Sequence, residues 1–222
     1  MNQPLRGRRA LVTSGPTYEP IDPVRFIGNR SSGRQGHAIA DALVHAGAEV
    51  VLVHGPVSIA PPAGAEVHAV TTARQMHRVC MEALPVDVAL CVAAVSDWRP
   101  RTPKAQKQKK ETTAQPVIEL VENPDILRDI AQHPTQRPAL VVGFAAETED
   151  VLAHAHSKYA RKGCDWLLAN AVGDGKGFDQ ERNAVTLLYA HAGALHAEPW
   201  PEAGKAHIAS ELVQRIAQHF AA

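Results

Sequence analysis

The stretch from Asn29 to Gly36, with the sequence Asn-Arg-Ser-Ser-Gly-Arg-Gln-Gly, has the residue types and spacing of a polyphosphate-binding loop. It follows a short apolar strand and precedes an apolar helical pattern, so we expect it to lie at a helix N-terminus. Backbone N–H groups there lack intrahelical partners, and the helix dipole favours negative charge. Gly33 and Gly36 would let the backbone approach a ligand, while Ser31 and Ser32 add hydroxyl donors. The competing interpretation is structural, a Ser-Ser cap with a glycine for close helix–sheet packing.

Other signatures of nucleotide binding and catalysis are missing from the sequence. There is no Walker loop, and Gly15-Pro16-Thr17 stands after the first strand where a dinucleotide fingerprint would begin. There is no Gly-x-Ser-x-Gly elbow or His-Glu-x-x-His pair, and His154 and His156 would point to different faces of a helix. The chemistry therefore has to come from other residue types.

Positively charged side chains near the predicted phosphate loop are the remaining candidates for carrying the chemistry. Reactions that need positioned cations and little acid–base chemistry are phosphoryl and nucleotidyl transfers. Lys158 and Lys162 are four residues apart and would share one helix face. Such a pair, like the lysine run of 104–110, is also typical of a solvated surface. The candidate cations are Arg25, Arg34, Lys107, Lys109, Lys110, Lys158 and Lys162.

Short apolar runs alternate with amphipathic patterns, which is typical of βαβ units around a parallel sheet. With right-handed crossovers this predicts an α/β fold, Rossmann-like and doubly wound, with a mostly parallel sheet. We expect a single domain over residues 1–222, with a mobile lysine-containing flap at 99–115 and a small hairpin within 184–197. The predicted strands are 9–14, 49–53, 66–70, 86–92, 117–121, 139–145 and 166–169, and the predicted helices are 35–46, 73–84, 124–132 (with Pro124 at its first position), 148–162 and 204–220.

The predicted strand ends collect further candidates, because ligands of open α/β sheets bind beyond the carboxyl ends of the strands. Ala93-Ala94 and Ala145-Ala146 are pairs of small residues that would leave room for a ligand, although tight helix–strand packing also explains them. Asp97 is a candidate ligand for a metal or a hydroxyl, with a helix or turn cap as the alternative. Gly15 and Asn170 lie at two other predicted ends.

Composition narrows the class of protein. The formal net charge is zero, so nothing global points to nucleic acid or to an anionic membrane. No apolar run approaches the ~20 residues needed to cross a bilayer. The three cysteines are scattered, with no signal peptide, which fits a reducing compartment, and we expect a cytoplasmic protein.

Several motifs in order resemble phosphopantothenoylcysteine synthetase, the ligase family of coenzyme A biosynthesis. In bacteria it is often the C-terminal half of a bifunctional protein with a flavin-dependent decarboxylase. The resemblance runs from about Arg9 to Phe220. It rests on Thr13-Ser14-Gly15-Pro16-Thr17, Asp22-Pro23-Val24-Arg25-Phe26-Ile27, Asn29-x-Ser31-Ser32-Gly33-x-x-Gly36, Ala93-Ala94-Val95-Ser96-Asp97, Lys107-x-Lys109-Lys110, Asn123-Pro124-Asp125-Ile126-Leu127, Gly143-Phe144-Ala145-Ala146-Glu147-Thr148, Ala169-Asn170 and Gly177-Phe178.

The resemblance implies a two-step ligation of 4′-phosphopantothenate to L-cysteine through an acyl-nucleotidyl intermediate. CTP is the implied nucleotide, Mg²⁺ would neutralise the triphosphate, and a homodimer is implied. Asn29 and the flap residue Lys107 are the implied catalytic residues, and Gln108 departs from the family pattern, which commonly has an apolar residue there. The implied nucleotide contacts are Gly15, Ser31, Gly33, Gly36, Asp97, Lys107, Pro124, Asp125, Ile126, Leu127, Phe144, Lys158, Lys162 and Asn170, and the implied substrate contacts are Asn29, Ala93, Ala94 and Asp97.

Two other function classes remain as alternatives. An NAD(P)-dependent reductase of similar architecture would need a glycine-rich first turn and a Tyr-x-x-x-Lys pair, but Tyr18, Tyr159 and Tyr189 each lack a lysine four residues on. A non-catalytic nucleotide-binding module is harder to separate from the ligase by sequence. Pyrophosphate release that depends on phosphopantothenate would distinguish the two.

Overall fold

Strands and amphipathic helices alternate along the chain in a computed structural model, which describes residues 3–109, 117–147, 151–171 and 181–221. The strands are β1 (Arg9–Ser14), β2 (Tyr18–Pro20), β3 (Phe26–Gly28), β4 (Glu49–His54), β5 (Glu66–Ala69), β6 (Val88–Cys91), β7 (Trp98–Pro100), β8 (Leu120–Glu122), β9 (Leu140–Glu147), β10 (Trp166–Ala171), β11 (Arg182–Asn183), β12 (Val185–His191), β13 (Ala194–Pro199) and β14 (Ala203–Gly204). The helices are α1 (Arg34–His45), α2 (Ala73–Ala83), α3 (Ile126–Ala131), α4 (Val151–Lys162) and α5 (Lys205–Ala221).

Eight strands form one sheet in the order β13-β12-β10-β9-β6-β1-β4-β5. The six strands from β10 to β5 in that order run parallel, and β12 and β13 add an antiparallel hairpin at one edge. The hairpin turns at Ala192-Gly193, where both residues have positive φ, at 51° and 79°. The α/β, Rossmann-like prediction with a mostly parallel sheet and a small hairpin is therefore confirmed.

Helices cover both faces of the sheet. Leu11 and Val12 are both fully buried, but they belong to different cores because successive strand residues face opposite sides. One core packs under α1 and α5, and the other packs under α2, α3 and α4. On α1 the buried residues recur at the spacing of a single helix face. The packing of this face on the sheet fixes where the first turn of α1 points. The buried residues of α1 are Gly36, His37, Ile39, Ala40 and Leu43.

The helix predicted over 124–132 is shorter in the structure. It spans Ile126–Ala131, and Asp125 is its N-cap, because the Asp125 carboxylate accepts a hydrogen bond of 3.2 Å from the backbone N–H of Arg128. The prediction that Pro124 occupies the first helical position is therefore wrong. Of the helix predicted over 148–162, the described part is Val151–Lys162.

Three short antiparallel pairs lie outside the main sheet, and their pairing was not expected. β2 pairs with β3, β7 pairs with β8, and β11 pairs with β14. The strand predicted over 117–121 is β8, which belongs to one of these pairs rather than to the main sheet. Arg99 and Pro100 thus belong to a strand rather than to the predicted loop, because they find a cross-strand partner that no local pattern reveals. The remaining described part of that loop, 101–109, has no regular secondary structure, and Lys110 lies outside the described residues.

The three cysteines are free thiols. Burial raises the pKa of Cys80 to about 12 and that of Cys164 to about 11, and it also raises the pKa of Cys91. A thiol with a raised pKa is a poor nucleophile, so these cysteines act as small core residues. None of the described helices combines the length and apolarity that crossing a bilayer requires.

The buried carboxylate of Asp22 joins the β2–β3 turn to the 101–109 segment. Its Oδ1 accepts the N–H groups of Val24 and Arg25, both at 2.9 Å. Its Oδ2 accepts the Arg25 guanidinium and, at 3.2 Å, the N–H of Gln108. The Arg25 guanidinium holds the pKa of the Asp22 carboxyl well below its usual range, despite burial. The position of residue 107 in the fold therefore depends on a charge at residue 22.

We expect Asp22→Asn to lower the melting temperature at pH 7 by about 3 °C or more, because the amide cannot replace every hydrogen bond of the carboxylate. The folded pKa of Asp22 is lowered, so its stabilisation is complete above the unfolded value of about 3.9 and is lost as the pH falls through the folded value. The melting difference from wild type should therefore shrink below about pH 4. Asp41→Asn, at an exposed site on α1, is the control. A difference independent of pH would contradict the charged role of Asp22.

Candidate functional site

The carboxyl ends of β1, β6, β9 and β10 meet at one edge of the sheet, where a cleft of about 500 Å³ opens. This is where ligands bind in open α/β sheets. The sequence-predicted residues that line it are Gly15, Asn29, Ser31, Gly33, Gly36, Ala93, Ala94, Asp97, Phe144, Lys158 and Asn170. The structure thus brings most of the proposed site together from distant parts of the chain.

The glycine loop enters α1 without a side-chain cap. Gly33 is the N-cap residue, with left-handed φ of 73° and ψ of −7°, and no described side chain hydrogen-bonds to the first turn as a cap. Within the described part of the chain, Ser31 Oγ accepts the N–H of Gly33, at 3.3 Å, and no N–H of the first turn of α1. The structural alternative of a Ser-Ser cap is therefore not what the structure shows. The first-turn amides of α1 remain available beside the cleft, where the helix dipole favours an anion.

The ends of β1 and β6 are tied together by backbone and threonine contacts. The hydroxyl of Thr13 accepts the N–H groups of Val92 and Ala93 at 3.1 and 3.2 Å. The N–H of Ala94 donates to the Gly15 carbonyl at 2.9 Å. Thr17 Oγ1 accepts the N–H of Ser96 at 3.0 Å. Both threonines belong to the motif of 13–17, but no sequence pattern indicates that they hold the end of β6 and the loop after it in place.

Asn29 bridges the loop before α1 to the loop after β6. Its amide Nδ2 donates to the Val95 carbonyl at 2.9 Å. The helix cap is Gly33, four residues later, so Asn29 does not cap α1. The bridge leaves the Asn29 side chain in the lining of the cleft, close to Ala93-Ala94.

Charge in the lining is mostly positive. Arg30, Arg34, Lys158 and Lys205 line the cleft, and among its described lining residues Asp97 is the sole acidic one. Such a balance attracts an anionic ligand to a chain whose net charge is zero. Outside the lining, Glu181 lies 3.8 Å from Arg34, and both side chains are largely exposed.

Six of the site residues that the family resemblance implies lie outside the cleft lining, as do the candidate cations Arg25 and Lys109. Lys162 forms an ion pair with Asp125, so the two lysines of the predicted common face have different surroundings. Burial raises the pKa of Asp125, but hydrogen bonds from Lys162 and from the Arg128 N–H outweigh it and lower the pKa overall. The six residues are Lys107, Pro124, Asp125, Ile126, Leu127 and Lys162.

Two of the six have structural surroundings of their own. Ile126 and Leu127 are buried in the core under α3. Lys107 is exposed, next to the backbone contacts that Gln108 makes with Asp22 and Arg25.

The far end of the cleft contains residues that sequence analysis missed. Gln35 Nε2 donates to the Lys205 carbonyl at 3.1 Å, which ties the first turn of α1 to the start of α5. Asn183 and Lys205 complete this end of the lining. No sequence signal could have found Asn183 and Lys205, because both lie far from the loop in the chain, and Lys205 meets Gln35 through the packing of α5 on α1.

Among the residues that the structure describes, no group of three or more His, Cys, Asp or Glu side chains is placed to hold a metal ion. Mg²⁺ usually binds through one or two carboxylates together with substrate phosphates. Asp97 is the one carboxylate among the described lining residues, and the rest of the cleft suits phosphates. The lining therefore fits a Mg²⁺ ion that is held by this carboxylate together with substrate phosphates.

Comparison with known proteins gives the family. Residues 5–220 match the family described as the DNA/pantothenate metabolism flavoprotein C-terminal domain. The coenzyme A biosynthesis bifunctional protein CoaBC of Mycobacterium bovis is 46% identical over 196 residues, which cover 83% of this chain and 46% of the relative. The chain thus spans about half the length of the curated relatives it matches.

Solved structures agree with this relationship. The crystal structure of the C-terminal domain of a CoaBC protein superposes with a TM-score of 0.79 at 34% identity, covering 99% of this chain and 98% of that one. A Cab2 mutant in complex with phosphopantothenate-cysteine has a TM-score of 0.75 at 16% identity, covering 97% and 88%, which shows a shared fold. From the match along nearly its whole length, this chain belongs to the DNA/pantothenate metabolism flavoprotein C-terminal domain family.

Proposed function

We propose that the chain is a phosphopantothenate–cysteine ligase. It would join 4′-phosphopantothenate to L-cysteine and consume CTP, giving 4′-phosphopantothenoyl-L-cysteine, CMP and pyrophosphate. The observation that carries the proposal is the uncapped start of α1 facing a cleft that Asn29 and Ala93-Ala94 also line. The relatives named for coenzyme A biosynthesis support it.

The reaction would proceed in two displacements. First, a carboxylate oxygen of phosphopantothenate attacks the α-phosphorus of CTP, and the bond to the bridging oxygen breaks as pyrophosphate leaves. Then the cysteine amine attacks the acyl carbonyl, the bond to the CMP oxygen breaks, and the amine loses a proton to solvent. The first nucleophile is already ionised at neutral pH, so no protein base is needed for that step. Positioning and charge stabilisation supply the rate.

The cleft suggests a division of roles. Gly15, Ser31, Gly33 and Gly36 would hold the triphosphate through the loop. Phe144, Lys158 and Asn170 would line the nucleoside, and Asn29, Ala93, Ala94 and Asp97 would contact phosphopantothenate and its acyl-cytidylate. These groups line one continuous cleft.

The residues outside the cleft keep a proposed role at its border. Lys162 lies one helical turn from Lys158, so the Lys162–Asp125 pair borders the nucleoside end, together with the 124–127 segment. Lys107 would act on the reacting phosphates from the 101–109 segment. Mg²⁺, with Asp97 as the protein carboxylate, would neutralise charge on the bound triphosphate.

The two competing functions make different demands on the same cleft. An NAD(P)-dependent reductase receives no support from the relatives, which are named for coenzyme A biosynthesis. A non-catalytic nucleotide-binding module would use the same loop and cations, so only turnover separates it from the ligase. We also propose a cytoplasmic location and, in the full-length protein, an attached flavin-dependent decarboxylase domain.

We expect pyrophosphate release that requires both phosphopantothenate and Mg²⁺ and is fastest with CTP among CTP, ATP, UTP and GTP. CTP with Mg²⁺ at about 100 times its Kd should add about 2.7 kcal/mol to the free energy of unfolding, seen as a raised melting temperature. Gly36→Ala is the matched inactive variant, since a Cβ there would lie 2.4 Å from Ser14 Oγ. CTP-dependent stabilisation without pyrophosphate release would favour the non-catalytic module. A preference for ATP would refute the nucleotide assignment.

We expect Asn29→Asp to remain folded and to slow product formation by about a hundredfold, because a carboxylate repels the substrate carboxylate and phosphates. Asn29→Ala is the control, since it also loses the hydrogen bond to the Val95 carbonyl but adds no charge. Single-turnover product formation should fall further in the Asp variant than in the Ala variant. Equal rates in the two variants would show that Asn29 only bridges two loops.

We propose that the chain forms a homodimer through the β2–β3 and β7–β8 pairs. Most of the exposed large apolar side chains among the described residues belong to these pairs and the residues beside them: Val24, Phe26, Trp98, Val117, Ile118 and Leu120. Apolar surface gathered in one region marks a protein–protein contact. β2 and β7 lie beside each other, which brings the two pairs together in one region of the fold.

We expect the wild-type chain to sediment as a dimer and the Val24→Lys/Leu120→Lys double variant to sediment as a monomer, because two buried charges oppose association. Leu195→Lys, at an exposed apolar position on β13, is the control and should remain dimeric. Sedimentation velocity at several concentrations measures the effect. A monomeric wild-type chain would contradict the proposal.

A further inference from the structure

Three donors converge on one buried carbonyl beneath the phosphate loop. The Gly33 carbonyl accepts Ser14 Oγ at 2.9 Å and the backbone N–H of His37 at 3.0 Å. His37 Nδ1 lies 3.1 Å from the same carbonyl and 3.0 Å from Ser14 Oγ. Both side chains are buried, with Ser14 fully so and His37 at 6% exposure. The carbonyl is thereby held towards the interior of the protein.

The contacts assign the protonation of His37. A carbonyl can only accept, so in the tautomer that satisfies the Gly33 contact Nδ1 carries the proton and Nε2 is an acceptor, buried and without a hydrogen-bond partner among the described residues. Burial lowers the pKa of His37, the Gly33 contact partly offsets this, and the nearby His54 lowers it further. The ring is therefore neutral at pH 7 and acts as a hydrogen-bond donor.

Burying the His37 side chain at this position costs free energy, and a role in packing alone would not explain that cost. An apolar ring at this position would avoid burying an unpartnered nitrogen. Ser14 also faces Gly36 across a tight gap, since a Cβ on Gly36 would lie 2.4 Å from Ser14 Oγ. Strand end, loop and first helical turn are therefore packed closely around the inward-facing Gly33 carbonyl.

That orientation sets the anion site. Gly33 has left-handed φ of 73°, and the turn that follows leaves the amides of Arg34, Gln35 and Gly36 without a side-chain cap. If the carbonyl rotated outwards, its negative end would lie at the start of the helix, where the bound phosphates belong. Holding one acceptor inwards therefore keeps the donor face of the loop in place.

We propose that His37, acting through Gly33 and together with Ser14, is a positioning residue for the polyphosphate of the nucleotide. His37 is not part of the cleft lining and does not contact the ligand itself. The inference rests on the proposed function for the identity of the ligand, a nucleoside triphosphate, but the loop geometry concerns any polyphosphate.

Binding of inorganic tripolyphosphate tests this without turnover. We expect His37→Phe, which keeps a ring but removes the donor, to raise the Kd for tripolyphosphate about tenfold. His37→Asn should restore binding close to wild type, because its amide N–H can replace Nδ1–H. His45→Phe, at the exposed end of the same helix, is the matched control and should bind like wild type.

Turnover supplies a second measurement. Because the loop binds the triphosphate in the ground state and the transition state alike, His37→Phe should raise the KM for CTP by a similar factor and leave kcat and the KM for phosphopantothenate nearly unchanged. If wild type binds tripolyphosphate but releases no pyrophosphate, the ligase proposal fails while the binding series still tests His37.

Two results would overturn the proposal. One is a folded His37→Phe variant with the wild-type Kd. The other, which decides the matter if His37→Phe does not fold, is wild-type binding by Ser14→Ala, since Ser14 donates to the same carbonyl. Where His37→Phe folds, a raised Kd in Ser14→Ala with no further rise when His37→Phe is added would support the shared role.

Discussion

The site depends on β1 ending between two parallel neighbours. Parallel strands direct their carboxyl ends to one edge, and β1 pairs with β4 on one side and with β6 on the other. Its last residues can therefore bond in several directions at once. Thr13 holds the N–H groups at the end of β6, Gly15 accepts the Ala94 N–H, and Ser14 holds the Gly33 carbonyl. The glycine loop at 29–36 and the Ala93-Ala94 pair are therefore positioned by the same short strand.

Electrostatics at this edge suits an anionic ligand and a reaction with little proton transfer. The helix start is uncapped, the lining carries several cations, and Asp97 is the acidic residue among the described lining. The chain as a whole has no net charge. The attraction is therefore local, which allows selective binding of a phosphorylated ligand without a general affinity for polyanions.

Other charged side chains near the site form ion pairs and hydrogen bonds that stabilise the fold. Asp22 binds Arg25 and the backbone of Gln108, and Asp125 caps α3 while pairing with Lys162. In both places a carboxylate organises a segment that the family resemblance assigns to ligand binding. A cation near a phosphate site can therefore stabilise the segment that it belongs to instead of binding the ligand. Its residue type alone does not distinguish these two roles.

Sequence alone determined the fold class, most strands and helices, and part of the cleft lining. These follow from local patterns: buried runs of strand length, helical periodicity, and glycines before a helix. Thus the glycine loop and Asn29 could be predicted, and the ordered motifs predicted the family that the comparisons then showed. The roles of individual residues within the cleft stay predictions.

Only the tertiary structure decided which polar groups meet. The Ser14–His37 contact at Gly33, the Gln35–Lys205 tie and the pairing of β7 with β8 join residues that are distant in sequence or lack a local signal. The same holds for Lys162, whose partner on α3 could not be read from helical spacing. Hydrogen bonds and ion pairs require contact within a few ångströms, and packing of the helices on the sheet, rather than any local pattern, sets those distances.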